Sequence, residues 1–208
     1  MAVRDKSGFS IAERISQAAL AGLMACAWTA GCTPKKEVPD PSLILAARRA
    51  AVAFDYKYKT DILDRLERDE DPVAVYQAYR DNVPGYAKDI SQTLGLDFRR
   101  IAQRVRNPNN AADDWESEQM DLFKFLIEAG IDPSTLETAE IVKEGKERVF
   151  RWIRPMVMGD QCMTCHGDNI DPKILTLLKQ EYPLDEATGY FLNEIGGAYS
   201  VRISLDPK

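Results

Sequence analysis

The segment Cys162-Met163-Thr164-Cys165-His166 places two thiols and one imidazole within five residues. This C-x-x-C-H spacing is the attachment signature of c-type haem. The thiols can add to the two vinyl groups of the porphyrin, and the imidazole is then held at one axial face of the iron. The chain has four Cys and one His, and three of these five residues lie in the segment. The motif therefore predicts one covalent haem c, with Cys162 and Cys165 as its thioether donors and His166 as the proximal axial ligand.

Two other kinds of site use a C-x-x-C pair, and both stay open as alternatives. A thioredoxin-like redox couple lies between a strand and a helix of a βαβ unit, but no second parallel strand is predicted after the motif. A structural zinc site needs four ligands, and no convincing fourth Cys or His remains in the predicted exported part. Haem attachment is the favoured interpretation.

The composition indicates one globular domain with a real core, because 45% of the residues are hydrophobic and 29% are charged. The net charge is -6 before the haem carboxylates are counted. A nucleic-acid partner is therefore not expected. We also do not expect an enzyme, because no second His is present for distal acid-base chemistry.

Residues 1–31 predict an export signal, in which basic residues precede an apolar run from Ala19 to Ala30. This run is shorter than the roughly 20 residues of a membrane-spanning helix. The ending Thr29-Ala30-Gly31-Cys32 resembles a bacterial lipoprotein signal, which is cleaved before Cys32 and lipidated on that thiol. An ordinary secretory signal cut nearby is the alternative. Both place the protein in the bacterial periplasm, and the first anchors it to a membrane by lipid.

After the signal, residues 32–41 predict a polar tether and residues 42–208 a single haem domain. Apolar residues recur at helical spacing over residues 42–70, 72–79, 85–94, 113–129 and 173–181, with Pro84 opening the third helix. Strands are predicted over residues 96–105, 140–144, 147–154 and 196–205, of which the middle two form a hairpin around Gly145. For residues 96–105 an irregular helix is the alternative. Helices followed by an antiparallel sheet predict an α+β fold.

An ordered series of segments resembles one known family, the PAS-like c-type haem domain. The segments are residues 105–110 with Trp115-Glu116, residues 162–167, residues 182–189 and residues 197–201. The series extends over roughly residues 42–205, which makes it more specific than any one segment. The resemblance implies a PAS-like antiparallel sheet, flanked by N-terminal helices, with haem bound near the sheet edge.

The resemblance also implies an axial pair that some members have, in which a Cys thiolate from an N-terminal helix faces the motif His. That Cys lies five residues before an Ala-Pro step, and the matching step here is Val83-Pro84, which places Tyr79 at the ligand position. Tyr79 can ligate ferric iron as a phenolate; alternatively, it packs like Tyr76 and Tyr86 with its hydroxyl at the surface. An open sixth position or a thioether ligand also remains possible, with Met120, Met156, Met158 and Met163 as the methionines, although core packing or filling at the haem edge is favoured for them.

Four arginines cluster at residues 99–106. Arg106 is the preferred partner for a haem propionate, which a guanidinium can bind in bidentate fashion. Arg99, Arg100 and Arg104 are expected to be solvated charges on a strand.

Two functions fit these features. The first is an exported monohaem c-type cytochrome with an electron-transfer or redox role and a separate redox partner protein. The alternative is a haem-based sensor of redox state or of a small gas such as CO or NO, which acts through a separate partner. The sequence does not predict an oligomeric state.

Overall fold

The computed structural model describes residues 36–206, so the predicted export signal and the lipidation site Cys32 lie outside the described residues. The described chain combines helices with a four-stranded antiparallel sheet. The predicted α+β class is therefore confirmed. None of the helices in this part of the chain is both long enough and apolar enough to cross a membrane.

The first predicted helix forms as three consecutive helical segments. Helix α1, Pro41–Tyr58, begins where the carboxylate of Asp40 accepts a hydrogen bond from the amide of Ser42. A π-helical turn, Lys59–Leu63, follows and leads into the short helix α2, Asp64–Glu67. Such turns insert one extra residue into a helix and occur often at functional sites.

Helix α3, Pro72–Leu94, is continuous, so the prediction of two helices separated at Pro84 is wrong. Proline lacks an amide hydrogen and therefore removes one hydrogen bond from the helix interior. Val83 and Ile90 are nevertheless buried on either side of it, and their packing keeps the two halves together. Gly95, which has a left-handed φ of 67°, ends the helix.

The sheet contains β1, Asp97–Ile101; β2, Thr138–Glu144; β3, Glu147–Val157; and β4, Ile195–Ser204. Its strand order is β1-β4-β3-β2, and all neighbours are antiparallel. The predicted hairpin is confirmed, with Gly145 at a φ of 64° in its turn. The strand predicted over residues 96–105 ends at Ile101, because Ala102 leaves the sheet and pairs with Ala111.

Two hydrophobic clusters flank the sheet. The larger joins α1 and α3 to side chains such as Phe98, Phe150 and Trp152. The smaller contains Ile101 and Ile153 together with Met120 and Phe123 of helix α4, Asp114–Glu128. Both are consistent with a sheet that is covered on its two faces.

Ion pairs link the start of α4 to the sheet. Asp113 and Glu116 form a capping box, in which each side chain accepts a hydrogen bond from the other residue's amide. The Glu116 carboxylate is 1% exposed and also accepts a hydrogen bond from Arg99 at 2.9 Å. Arg151 of β3 lies 3.2 Å from the same carboxylate. This network links α4, β1 and β3.

Gly197 allows β4 to approach β1 closely. A Cβ atom on Gly197 would lie 2.5 Å from the carbonyl oxygen of Ile101. The register of β3 against β4 also shifts here, between Met156 and Val157. Strand β3 ends at this point, at Val157, shortly before the C-x-x-C-H segment.

Candidate functional site

The C-x-x-C-H segment follows β3 directly. A 3₁₀ turn, Asp160–Cys162, leads into the short helix α5, Met163–His166. The amides of Gly189 and Tyr190 donate to the carbonyl oxygens of Gly167 and His166, each at 2.9 Å. Residues 182–194, which we call the covering loop, are thus held against the motif.

The imidazole of His166 is oriented by a backbone group. Its Nδ1 lies 2.7 Å from the carbonyl oxygen of Ala187. A carbonyl oxygen can only accept, so Nδ1 carries the hydrogen and Nε2 keeps its lone pair for a metal. Burial, with a smaller contribution from the charge of Arg106, lowers the pKa of His166 to about 4. The ring is therefore neutral at neutral pH, which is its metal-binding form.

Arg106 joins the covering loop to the motif. Its Nε lies 2.8 Å from Oδ2 of Asp185, and the two side chains are only 9% and 10% exposed. Its Nη2 donates to the carbonyl oxygen of Cys165 at 2.7 Å. The guanidinium is already paired with a carboxylate, and the role of Arg106 toward a haem propionate stays a prediction.

A cleft with an empty volume of about 430 Å³, which includes solvent at its mouth, lies beside the motif. Cys162, Cys165 and His166 line it, as do apolar and aromatic side chains of α1, the π-helical turn and α3, among them Tyr58, Ile62, Val75 and Tyr79. The two cysteines are half-buried and unpaired, and burial raises the pKa of Cys165. Two free thiols, a neutral imidazole with Nε2 available and apolar walls form a donor set that fits a covalently bound haem.

Tyr79 shares this cleft, although it lies 87 positions before His166 in the chain. Its hydroxyl oxygen accepts a hydrogen bond from Nη2 of Arg100 at 2.8 Å. Tyr76 and Tyr86 differ, because their hydroxyls donate to the carboxylates of Glu181 and Asp61. No acceptor for the Tyr79 hydroxyl is present among residues 36–206. Tyr79 is thus the one of these three tyrosines whose oxygen faces a cation.

A family profile described as Tll0287-like (Tll0287) matches residues 49–204. The chain belongs to the Tll0287-like family. Among solved structures, that of the cyanobacterial haem protein Tll0287 is similar, with a TM-score of 0.61 and 20% sequence identity over 82% of this chain and 99% of that chain. This likeness shows a shared fold. Among curated proteins, none is significantly similar to this chain.

The family resemblance found in the sequence is therefore confirmed. Within the Tll0287-like fold, each of the three arginines that were expected to be solvated has a partner. Arg99 pairs with buried Glu116 at 2.9 Å. Arg104 donates to the carbonyl oxygens of Glu186 and Thr188, and its guanidinium carbon lies 3.9 Å from the ring centroid of Tyr190. Arg100 is half-buried against Tyr79. The side chains of Arg99 and Arg104 are nevertheless 39% exposed, so the expectation of solvated charges is wrong only for Arg100, which lies against the rings of Phe54 and Tyr79.

Packing explains the methionines of this Tll0287-like domain. Met120 is 2% exposed in the cluster beneath α4, as predicted. Met158 is 7% exposed and packs with Ala187 and Tyr190, next to Cys162 and Met163. Met156 packs against the larger cluster.

The two alternative readings of the C-x-x-C pair find no structural support. The sheet around the motif is antiparallel throughout, so the described residues contain no parallel βαβ unit of the thioredoxin kind. Within residues 36–206, no group of three or more His, Cys, Asp or Glu side chains is arranged to hold a metal ion. The covering-loop contacts of His166 instead match an axial ligand oriented by its neighbours.

Residue-level reasoning on the sequence missed Asp185, Ala187 and Tyr58. The first two lie in the family-like segment at residues 182–189, so that resemblance contained a usable signal. Tyr58 lies at the junction of α1 and the π-helical turn, and only the three-dimensional packing places it in the cleft.

Proposed function

We propose that this chain is an exported monohaem c-type cytochrome with an electron-transfer or redox role. One observation carries the proposal: the thiols of Cys162 and Cys165 and the imidazole of His166 line one apolar cleft, with Nε2 of His166 left free by the bond between Nδ1 and Ala187. A structural relative described as a haem protein supports the choice of cofactor.

The two cysteines, His166 and Ala187 would have different roles in binding the haem. Each cysteine S–H would add across one vinyl double bond of the haem, which would form a thioether without net oxidation. His166 would supply Nε2 to the iron, and Ala187 keeps the ring oriented. The haem supplies a one-electron couple between its ferric and ferrous states. The apolar walls limit water at the site, and the identity of the second axial ligand tunes the potential.

We infer that Tyr79 is this second axial ligand. It lines the same cleft as His166, and within residues 36–206 its hydroxyl has no acceptor. A phenolate is a hard anionic donor, which favours ferric iron. An axial pair of His166 and Tyr79 would therefore have a lower potential than a pair of His and Met.

Export, lipidation of Cys32 and a periplasmic position belong to the same proposal. The signal-like residues 1–31 support them, and so does the chemistry of the motif, since haem c is assembled outside the bacterial cytoplasm. A lipid at Cys32 would keep the domain near a membrane, where a separate redox partner protein exchanges electrons with it.

Covalent attachment is tested by producing the full chain in a bacterium with a c-type haem maturation system. We expect the wild-type protein to keep its haem stain on a denaturing gel, and Cys162→Ala with Cys165→Ala to lose it. Thr164→Ala is the matched control, because it changes one of the two residues between the thiols and leaves C-x-x-C-H intact. A wild-type protein that releases all its haem on denaturation would contradict covalent binding.

The sensor function remains the alternative because Tyr79 lies on α3, and Val83 and Ile90 of this helix pack in the larger hydrophobic cluster that covers the sheet. Displacement of Tyr79 by a gas could therefore be transmitted to the sheet. Ferrous protein that binds CO readily and changes its far-ultraviolet circular dichroism would support a sensor. Low-spin ferrous protein that does not bind CO and cycles reversibly would support electron transfer.

A further inference from the structure

Arg100 donates a hydrogen bond to Tyr79, which lines the cleft, and unlike three neighbouring arginines it has no carboxylate partner among residues 36–206. Arg99 pairs with Glu116, Arg104 with Glu194 and Arg106 with Asp185. For Arg100, no carboxylate oxygen lies within 4.0 Å among residues 36–206. Its side chain is nevertheless half-buried between α1, α3 and the sheet.

The surroundings of Arg100 are aromatic. Its guanidinium carbon lies 5.2 Å from the ring centroid of Phe54 and 5.4 Å from that of Tyr79. Its one hydrogen bond to a side chain goes to the hydroxyl oxygen of Tyr79, at 2.8 Å. Aromatic faces and a neutral phenol compensate a cation only in part, and a poorly solvated charge without a counter-charge is unfavourable.

We propose that Arg100 is the charge partner of an anionic oxygen that is present at the cleft only when haem is bound. This inference rests on the proposed haem-binding function. The oxygen belongs either to a haem propionate or to Tyr79 as a phenolate. The propionate is already ionised when the haem binds. The phenolate forms when Tyr79 binds ferric iron and its proton passes to solvent. Arg106 is the less suitable partner, because Asp185 already neutralises it.

The test uses the holoprotein and measures the ferric-to-ferrous midpoint potential and the ferric absorption spectrum. Arg100→Gln removes the charge and keeps a donor for Tyr79, and Arg100→Lys keeps the charge. Arg49→Leu is the control, because Arg49 is an exposed arginine of α1 whose loss changes the net charge equally. Arg100→Met is the second neutral variant if Arg100→Gln does not fold.

We expect Arg100→Gln to shift the ferric-to-ferrous ratio at a fixed applied potential at least tenfold, which corresponds to 59 mV for a one-electron couple. Arg100→Lys should recover most of this shift, and Arg49→Leu should show none. If Arg100→Gln and Arg49→Leu have the same potential and the same ferric spectrum, the proposal is overturned.

The Tyr79→Phe background identifies which oxygen is involved. A haem propionate predicts that Arg100→Gln lowers the potential equally with and without Tyr79. A phenolate predicts that Arg100→Gln alters the ferric spectrum in the direction of Tyr79→Phe and adds nothing once Tyr79 is absent. A wild-type chain that attaches no haem would instead refute the proposed function, so the two failures are distinguishable.

Discussion

The carbonyl oxygen of Ala187 lies 2.7 Å from Nδ1 of His166 and so orients the ring, although Ala187 is outside the C-x-x-C-H segment. Ala187 is held in turn by Asp185, whose Oδ1 accepts from the Ala187 amide at 2.8 Å. The other oxygen of Asp185 pairs with Arg106. The orientation of the candidate iron ligand is therefore supported by an ion pair between Arg106 and the covering loop.

Removal of Asp185 should destabilise the domain strongly. Asp185→Ala leaves the guanidinium of Arg106, 9% exposed in the wild-type protein, without a carboxylate. Loss of one partner of a buried pair typically costs about 3–5 kcal/mol. We expect a loss of this size in the free energy of unfolding by urea. Asp81→Ala is the control, because it removes an exposed partner of Arg80 and should cause no measurable change in stability. Equal effects of the two variants would contradict a structural role for Asp185.

Tyr79→Phe should change the ferric spectrum of the holoprotein. If the phenolate binds iron, its charge-transfer absorption is lost and the vacated position admits CO in the ferrous state. Optical and electron paramagnetic resonance spectra measure both effects. Tyr56→Phe is the control, because Tyr56 is 70% exposed on α1. Identical spectra for wild type and Tyr79→Phe would exclude tyrosinate ligation.

Two glycines should respond to alanine with opposite signs. Gly197→Ala forces a Cβ toward the Ile101 carbonyl oxygen, at 2.5 Å, and should cost about 1–3 kcal/mol, as overpacking does. Gly85 lies within α3, and a Cβ there meets no atom within 4 Å. Gly85→Ala should therefore stabilise the protein by about 0.5–1 kcal/mol. Chemical denaturation measures both changes, and a neutral Gly197→Ala would show that β1 and β4 can separate without loss.

The ion pair between Arg48 and Glu137 should make stability depend on pH. Burial raises the pKa of Glu137, but hydrogen bonds and charge from Arg48 outweigh it and hold this pKa below its usual value. A folded-state pKa below the unfolded one stabilises the fold above about pH 4.5, and this contribution is lost as the pH falls. Glu137→Gln should thus lower the free energy of unfolding at pH 7 and make less difference near pH 3.

The control for this pH dependence is Glu128→Gln, which changes an exposed carboxylate at the end of α4. Its unfolding curve should follow that of the wild type at every pH. A difference between wild type and Glu137→Gln that stays constant from pH 7 to pH 3 would show that the pair contributes through hydrogen bonding alone.

Local patterns were sufficient for most elements of the fold. Alternation around Gly145 predicted the hairpin, and Asp113 with the apolar spacing of Met120 and Phe123 predicted α4. Pro84 misled the prediction because its local effect, one missing hydrogen bond, is weaker than the burial of Val83 and Ile90. Tertiary packing therefore decided the continuity of α3.

The candidate site was predictable where it is local in sequence. The spacing of Cys162, Cys165 and His166 is sufficient to recognise the motif, and the family resemblance pointed to Tyr79. The partners of the arginines were not predictable, because Arg106 and Asp185 are 79 residues apart and Arg100 and Tyr79 are 21 apart. Charge in a sequence shows which groups can pair, whereas the fold decides which of them meet.

The strand order has a consequence for when the sheet can be completed. Strand β4 lies between β1 and β3, although it follows the C-x-x-C-H segment in the chain. A polypeptide that has emerged only as far as His166 has the β2–β3 hairpin but lacks the strand that joins it to β1. Pairings between distant strands are slow steps in folding. Both thiols are thus delivered while the sheet still lacks β4, and under the proposed function a porphyrin would meet them on an incompletely folded chain.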